Sequence, residues 1–260
     1  MLISLINHAK SIADEELQRV VRAINRQIEG DYAPYWSLGA TLRLEGRSGR
    51  VASKENPVDM RGDAVIYLGD EPDVDDALGY HDLNHRGIPC GFVFTVISKE
   101  LDEHWSVTLS HETLELIGDP EVNLLVMGHH PGDPGRDVFH WYEMCDAVQD
   151  EHYAIDGIDV SNFLLPLYFT GGDELGGRND FLGRRYGGKT LRSFGVNPGG
   201  YVGFFDPKLK DMDTFEADKR AETRQRIKDQ MQRARRGVRY QRYHTERPVP
   251  LRAQSGKRAR

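Results

Sequence analysis

The chain has 260 residues, of which 38% are hydrophobic and 9% aromatic, enough to bury a core in one large domain or two small ones. Its two cysteines exclude a disulfide scaffold and favour a reducing compartment. No apolar run approaches the roughly 18–20 residues that span a bilayer, and the first residues lack the basic region and cleavage site of a signal peptide. We therefore expect a cytoplasmic protein with no membrane partner.

The net charge of −7 is an average over two unlike parts of the chain. Residues 1–218 contain 19 basic and 38 acidic residues, a balance of −19, whereas residues 219–260 contain 15 basic and 3 acidic residues, a balance of +12. A basic tail on an acidic body predicts contact with nucleic acid, with an acidic protein partner or with the body itself.

The first half of the chain has the pattern of alternating strands and helices. Apolar residues at three- and four-residue steps predict a helix over residues 14–29 that Gly30 ends, followed by an aromatic turn at residues 32–36. Residues 47–62 are polar and predict a loop, and the acidic run at residues 70–76 predicts a solvated one. Short apolar or alternating runs predict four strands, at residues 2–6, 38–44, 64–68 and 88–98.

A second helix follows these strands, with Asp102 as its N-cap and Gly118 as its last residue. Beyond it the chain is loop-rich, and the glycine-dense residues 170–203 predict irregular loops. Residues 213–236 are polar with a thin apolar stripe, which predicts an exposed helix, and residues 245–260 predict a flexible basic end. The predicted fold is an α+β domain over residues 1–206, followed by a basic helical extension and tail over residues 207–260.

The segment that indicates chemistry is SHETLELIGDP, at residues 110–120. Helix residues four apart lie on one face about 6 Å from each other, so His111 and Glu115 converge on one metal ion. Glu112 projects about 100° round the helix from His111. In zinc hydrolases the metal lowers the pKa of water towards 7, and a glutamate at this place takes the proton. The segment therefore predicts a zinc site with His111 and Glu115 as ligands and Glu112 as general base.

This pattern resembles the zincin metallopeptidases. The resemblance rests on the HExx segment, on the strand–helix–strand order before it, and on Gly118, where the active-site helix of metzincins ends. The chain is also similar to poorly characterised bacterial and phage proteins with SHExLExxxDP, YExCD and SxFxxPxxF segments, which here read SHETLELIGDP, YEMCD (142–146) and SNFLLPLYF (161–169). The resemblance implies a zincin-like mixed sheet, a peptide or protein substrate and, for a phage protein, a place in the virion.

The third metal ligand must come from outside the helical pair. The zincin pattern has a second histidine where this chain has Glu115. Zincins that draw a glutamate from a later segment imply Glu143 as the third ligand. Asp119 and Glu121 are alternatives in the same segment as the helix, although Asp119 lies about 12 Å along the helix from His111.

Histidines offer a further route to the third ligand, because His129, His130 and His140 lie close in sequence. One of these, or Tyr142, is a candidate for stabilising an oxyanion.

Asp146 has two predicted roles. It hydrogen-bonds to a metal ligand and orients it, or it forms a calcium site together with Asp156 and Asp159. Cys90 and Cys145 lack the surroundings of a catalytic cysteine and are predicted to be buried thiols.

Two further functions stay open from the sequence. The basic tail and the missing second histidine favour a non-catalytic structural or assembly protein, for example of a virion, on a zincin-like fold. A nucleic-acid-binding module is the third reading, because Arg residues interleaved with Tyr240 and Tyr243 suit phosphate contact and base stacking.

Overall fold

The computed structural model of the protein describes residues 1–45, 62–70, 79–83, 87–100, 103–171, 177–219 and 221. The predicted loop up to residue 61, the acidic run after Asp70, the predicted N-cap Asp102 and the tail beyond residue 221 lie outside the described residues. The α+β class is confirmed, since helices and several sheets are mixed along the chain. No described helix is both long and apolar enough to cross a membrane.

The first half of the chain supplies a five-stranded sheet and its helices. Its elements are β1 (Leu2–Asn7), α1 (Asp14–Arg26), a π-helix (Gln27–Tyr32), α2 (Ala33–Trp36), β2 (Thr41–Leu44), β3 (Ala64–Gly69), β4 (Gly79–Leu83), β5 (Pro89–Phe94), α3 (Thr95–Glu100) and α4 (Trp105–Gly118).

The second half forms two smaller sheets joined by irregular chain. Its elements are β6 (Leu125–His130), β7 (Asp133–Trp141), a 3₁₀ turn (Asp146–Val148), β8 (His152–Ile155), β9 (Ile158–Ser161), a second 3₁₀ turn (Pro166–Thr170), β10 (Tyr201–Asp206) and β11 (Asp211–Glu216). The strand orders are β11-β10-β7-β6 and β8-β9.

The five-stranded sheet has the order β2-β1-β3-β5-β4. The first four strands in that order run parallel, whereas the edge strand β4 runs antiparallel to β5. Parallel strands are covered on both faces, which explains why β3 and β5 are apolar runs rather than alternating ones. Helix α4 packs against β4, β5 and β9, so the sheet edge and the second half of the chain meet on this helix.

The prediction that Gly30 ends the first helix is wrong. The chain continues through the π-helix and α2, and the helical run ends only at Ser37, which has a left-handed φ of 54°. Packing explains the extension: Tyr32 is fully buried, with its ring 5.3 Å from that of Phe163. The predicted aromatic turn at residues 32–36 is therefore helical, because tertiary contacts outweigh the low helix propensity of glycine.

Helix α4 is buried along its whole length, unlike an amphipathic surface helix. His104 is its N-cap, with Nδ1 accepting a hydrogen bond from the Ser106 amide, and Gly118 is its last residue, as predicted. All fourteen of its residues are buried. Its polar side chains can be buried because they form hydrogen bonds. For example, the Ser110 hydroxyl donates to Gln27 Oε1 at 2.6 Å and accepts from the Ser161 amide.

Other differences from the predicted elements concern short or edge segments. Strand β4 was not predicted, and the predicted strand at residues 88–98 divides into β5 and α3. The helix predicted from residue 213 is wrong over its first residues, because residues 211–216 form β11 and pair with β10. The predicted boundary after residue 206 coincides with the end of β10. Residues 177–200 are irregular, as predicted, apart from isolated bridges.

Candidate metal centre

The predicted ligand pair lies on one face of α4. His111 Nε2 is 3.1 Å from Glu115 Oε1, and the two residues are 7% and 1% exposed. Ligand atoms that surround Zn²⁺ tetrahedrally at 2.0–2.1 Å lie roughly 3.3 Å from one another. The pair therefore already has the spacing that a shared metal ion requires.

Asp146, the last residue of the YEMCD segment and the first of a 3₁₀ turn, approaches the same imidazole. Its Oδ1 lies 3.2 Å from His111 Nε2, again close to a ligand–ligand spacing. Asp146 is buried, and a buried carboxylate is retained where it is paired or binds a cation. It contacts the ligand nitrogen directly, which is closer than the supporting position that the sequence suggested.

Cys145 is a third neighbour of this pair, with Sγ, His111 and Glu115 close enough to hold one ion. Its backbone amide donates to Glu115 Oε1 at 3.2 Å, and its thiol donates to the backbone oxygen of His111 at 3.9 Å. Burial raises the pKa of the thiol well above its usual value, and the nearby carboxylates of Glu115 and Asp146 raise it further. The Cys145 backbone amide thus orients Glu115, and the thiol is buried, as predicted.

His81, on the edge strand β4, is a member of the site that sequence reasoning missed. Its Nδ1 is 3.4 Å from Glu112 Oε2 and 3.7 Å from Glu115 Oε2, and its Nε2 is 3.7 Å from Glu143 Oε2. Only the strand pairing of β4 with β5 brings it to α4. The local signal is weak, since the strand GYHDL is short and polar and the histidine is distant in sequence from the HExxE segment.

The charge around His81 is dominated by its three acidic neighbours. Burial lowers the pKa of His81, but the carboxylates of Glu143, Glu112 and Glu115 together outweigh it and raise the pKa to about 9. A buried imidazole that would otherwise be neutral is thus held as a cation. The same negative field would favour a metal cation at this place.

Glu143, the ligand implied by the resemblance, lies beside His81. His81, Glu115 and Glu143 form a second group whose ligand atoms are all within 4.8 Å of one another. His111 belongs to the first group, and Glu115 is common to both. The three predicted ligands are therefore brought to one region, but His111 and Glu143 lie in different groups.

The two alternative ligands near the end of α4 have structural partners. Asp119 Oδ2 accepts from the amides of Asn123 and Leu124 at 2.9 and 2.8 Å. Glu121 is exposed and accepts from the side chain of Asn123. Asp119 thus stabilises the turn after the helix, and the structure brings neither carboxylate into the two groups.

The three histidines of the β6–β7 hairpin lie in aromatic packing of the four-stranded sheet. The ring of His140 stacks on Phe194 at 4.6 Å, and its Nε2 donates to the backbone oxygen of His129 at 2.9 Å. His130 meets Phe204 edge-on at 4.9 Å. Among the described residues, these histidines belong to neither metal-ligand group.

The other predicted roles concern aspartates and aromatic residues. Asp156 lies in the β8–β9 turn in an ion pair with Arg26, and among the described residues it belongs to neither metal-ligand group. Tyr142 packs its ring against Phe169 at 4.5 Å, and burial together with the charge of Asp119 raises its pKa.

The SNFLLPLYF segment packs close behind the site. Phe163 is fully buried in the same core as Met144 and Cys145, and the amide of Leu164 donates to the backbone oxygen of Met144 at 2.7 Å. This hydrogen bond holds the bend that follows Glu143. The segment therefore packs against the residues that follow Glu143.

Gly118 allows the YEMCD segment to approach α4. A Cβ at this position would lie 2.5 Å from Cε and 2.9 Å from Cγ of Met144, well inside van der Waals contact. Met144 is fully buried and lies between Glu143 and Cys145. The glycine that the sequence marked as a helix end is thus required by close packing rather than by a left-handed backbone.

No protein-family model matches the chain, and no curated protein is detectably similar to it. The class that fold and site define is consequently limited to an α+β protein with two overlapping groups of potential metal ligands on a buried helix.

Proposed function

We propose that the protein is a metal-dependent hydrolase, and most specifically a zinc peptidase with a zincin-like fold. The observation that carries the proposal is the 3.1 Å approach of His111 Nε2 to Glu115 Oε1 on α4. The order of elements before α4, and the mixed five-stranded sheet whose edge strand contacts it, support the fold assignment.

The donor set fits a transition-metal cation. Imidazole and carboxylate together suit Zn²⁺ or Mn²⁺, whereas a site of oxygen ligands alone would suit Ca²⁺ or Mg²⁺. His111 and Glu115 would hold the ion, since their ligand atoms are 3.1 Å apart. A third donor would be Asp146, whose Oδ1 is 3.2 Å from His111 Nε2, or Cys145, whose Sγ is grouped with the pair. The distances favour Asp146 over Glu143 as the partner of His111.

Glu112, next to His111 in the sequence, is the general base of the proposed mechanism. A bound Zn²⁺ supplies a Lewis acid that polarises a carbonyl and lowers the pKa of water. Glu112 Oε2 accepts the proton, and His81 Nδ1, at 3.4 Å, orients that carboxylate. Removing a general base typically lowers the rate by 10²–10⁴-fold.

Two variants test the proposal. The purified protein should contain zinc, and His111→Ala should contain at least one equivalent less than wild type, as measured by elemental analysis. Glu112→Gln should retain the metal but lose cleavage of a peptide library followed by mass spectrometry. The exposed residue His152 supplies a matched control, since His152→Ala should change neither property. A chain without metal, or full peptide cleavage by Glu112→Gln, would refute the mechanism.

A second candidate function is a non-catalytic structural or assembly protein whose metal stabilises the fold. The observation that favours it is burial: Glu112 is only 2% exposed, and structural zinc sites are closed whereas catalytic sites keep an open position. In that case wild type would cleave no peptide in the library, and Glu112→Gln would have the same metal content as wild type. Chelation would then lower the unfolding temperature without any loss of activity to measure.

A further inference from the structure

We infer that His81, Glu115 and Glu143 form a second divalent-cation site, bridged to the first site by the carboxylate of Glu115. This inference rests on the proposed function, because the first site supplies the shared ligand. It adds a residue, His81, that has no place in the HExxE pattern.

The two oxygens of Glu115 point in different directions. Oε1 lies 3.1 Å from His111 Nε2, whereas Oε2 lies 3.7 Å from His81 Nδ1. A carboxylate placed between two imidazoles in this way has one oxygen for each of two ions. Bridging carboxylates of this kind occur in two-metal hydrolases, where the ions lie about 3.5–4 Å apart.

Each of the two groups combines the shared Glu115 with further donors of its own. Beyond the shared Glu115, the first has His111 and Cys145, with Asp146 Oδ1 3.2 Å from His111 Nε2, and the second has His81 and Glu143. His81 is buried and Glu143 is one quarter exposed, so the second site is the one nearer to solvent. Both sets combine one imidazole with two carboxylates, and hence both suit the same class of cation.

The charge of the cluster also fits two cations. Imidazoles bind metals in the neutral form, so the charge of these six side chains then comes from the four carboxylates of Glu112, Glu115, Glu143 and Asp146. Within this set, two divalent cations neutralise the four negative charges, whereas one divalent cation leaves two negative charges uncompensated. Uncompensated carboxylates are costly when they are buried, and Glu112, Glu115 and Asp146 are all under 5% exposed.

The test is the metal stoichiometry of the full chain, stripped with a chelator and reloaded with Zn²⁺ alone. Wild type should bind two equivalents, and His81→Ala and His111→Ala should each bind one. The control His152→Ala should bind two. Circular dichroism of each variant shows whether it is folded. If His81→Ala does not fold, His81→Asn is a smaller change that serves the same test.

The outcomes separate this inference from the proposed function. One equivalent in wild type, retained by His81→Ala but lost by His111→Ala, would overturn the second site and leave the proposed function standing. One equivalent lost by both variants would mean a single shared ion and would also overturn it. A wild type that binds no metal would overturn both proposals.

A second readout addresses the bridge itself. Two equivalents of Mn²⁺ bridged by Glu115 should give an exchange-coupled electron paramagnetic resonance spectrum, and His81→Ala should give the spectrum of an isolated ion. An uncoupled spectrum at two equivalents in wild type would refute the bridging role of Glu115.

Discussion

The close packing of Gly118 against Met144 leads to a quantitative prediction about stability. In Gly118→Ala the new methyl group would lie 2.5 Å from Met144 Cε and 2.9 Å from Cγ, so Met144 must move within a fully buried site. Overpacking of this kind costs about 1–3 kcal/mol. Replacing glycine by alanine in a helix returns up to about 1 kcal/mol. The net loss of unfolding free energy should be about 1–2 kcal/mol.

The assay is denaturant and thermal unfolding of the metal-free protein. For a chain of this size, a loss of 1–2 kcal/mol lowers Tm by roughly 2–8 °C. Gly30→Ala is the matched control, because it is also helical but its Cβ would meet no atom within 4 Å. It should leave stability unchanged or raise it by up to about 1 kcal/mol.

A double-mutant cycle identifies the cause. Met144→Ala by itself should cost about 2–5 kcal/mol, because it leaves a cavity. In that background Gly118→Ala should cost nothing, since the atoms that it would strike are gone. An equal loss of stability from Gly118→Ala with and without Met144, or no loss in either, would refute the packing argument.

Three further predictions concern the protonation of a core histidine, the first metal site and the tail. Burial, helped by the imidazoles of His129 and His130, outweighs the hydrogen bond to the His129 backbone oxygen and lowers the pKa of His140 to about 4. In the unfolded chain this imidazole is protonated below about pH 6.5, whereas in the folded chain it stays neutral down to about pH 4. The free energy of unfolding should therefore fall by up to about 3 kcal/mol as pH drops from about 6.5 to 4. His140→Phe keeps an aromatic ring against Phe194 and should flatten this part of the unfolding profile; an unchanged slope between pH 4 and 6.5 would contradict the assignment. Asp146→Asn should weaken zinc binding at least tenfold in a competition assay with a chelator, whereas Glu121→Gln, an exposed carboxylate in the same half of the chain, should not; equal affinities for wild type and Asp146→Asn would exclude Asp146 as a ligand. Removal of residues 222–260 should abolish salt-sensitive DNA binding measured by fluorescence anisotropy, because most of the +12 balance lies there; undiminished binding by the shortened chain would exclude a nucleic-acid role for the tail.

The sequence by itself was sufficient wherever the interactions are local. The HExxE spacing predicted that His111 and Glu115 share a helix face, and the structure has them 3.1 Å apart. The i, i+4 relation depends only on helix geometry, so it needs no knowledge of the rest of the chain. The apolar runs of β1 and β3 were likewise recognisable, because buried parallel strands are apolar on both faces.

Only the tertiary structure decided which distant residues complete the centre. His81 reaches α4 through the pairing of a short polar edge strand, and Asp146 reaches His111 because Gly118 lets Met144 pack closely against the helix. The end of the first helix was decided in the same way, since the burial of Tyr32 keeps the chain helical beyond Gly30. Such contacts join residues that are 30 or more positions apart or depend on how much space a side chain fills. A local sequence pattern predicts neither the distant partner nor the available space. The sequence therefore determined the helix that presents the ligands, and the fold determined how many ligands, and in our inference how many ions, meet there.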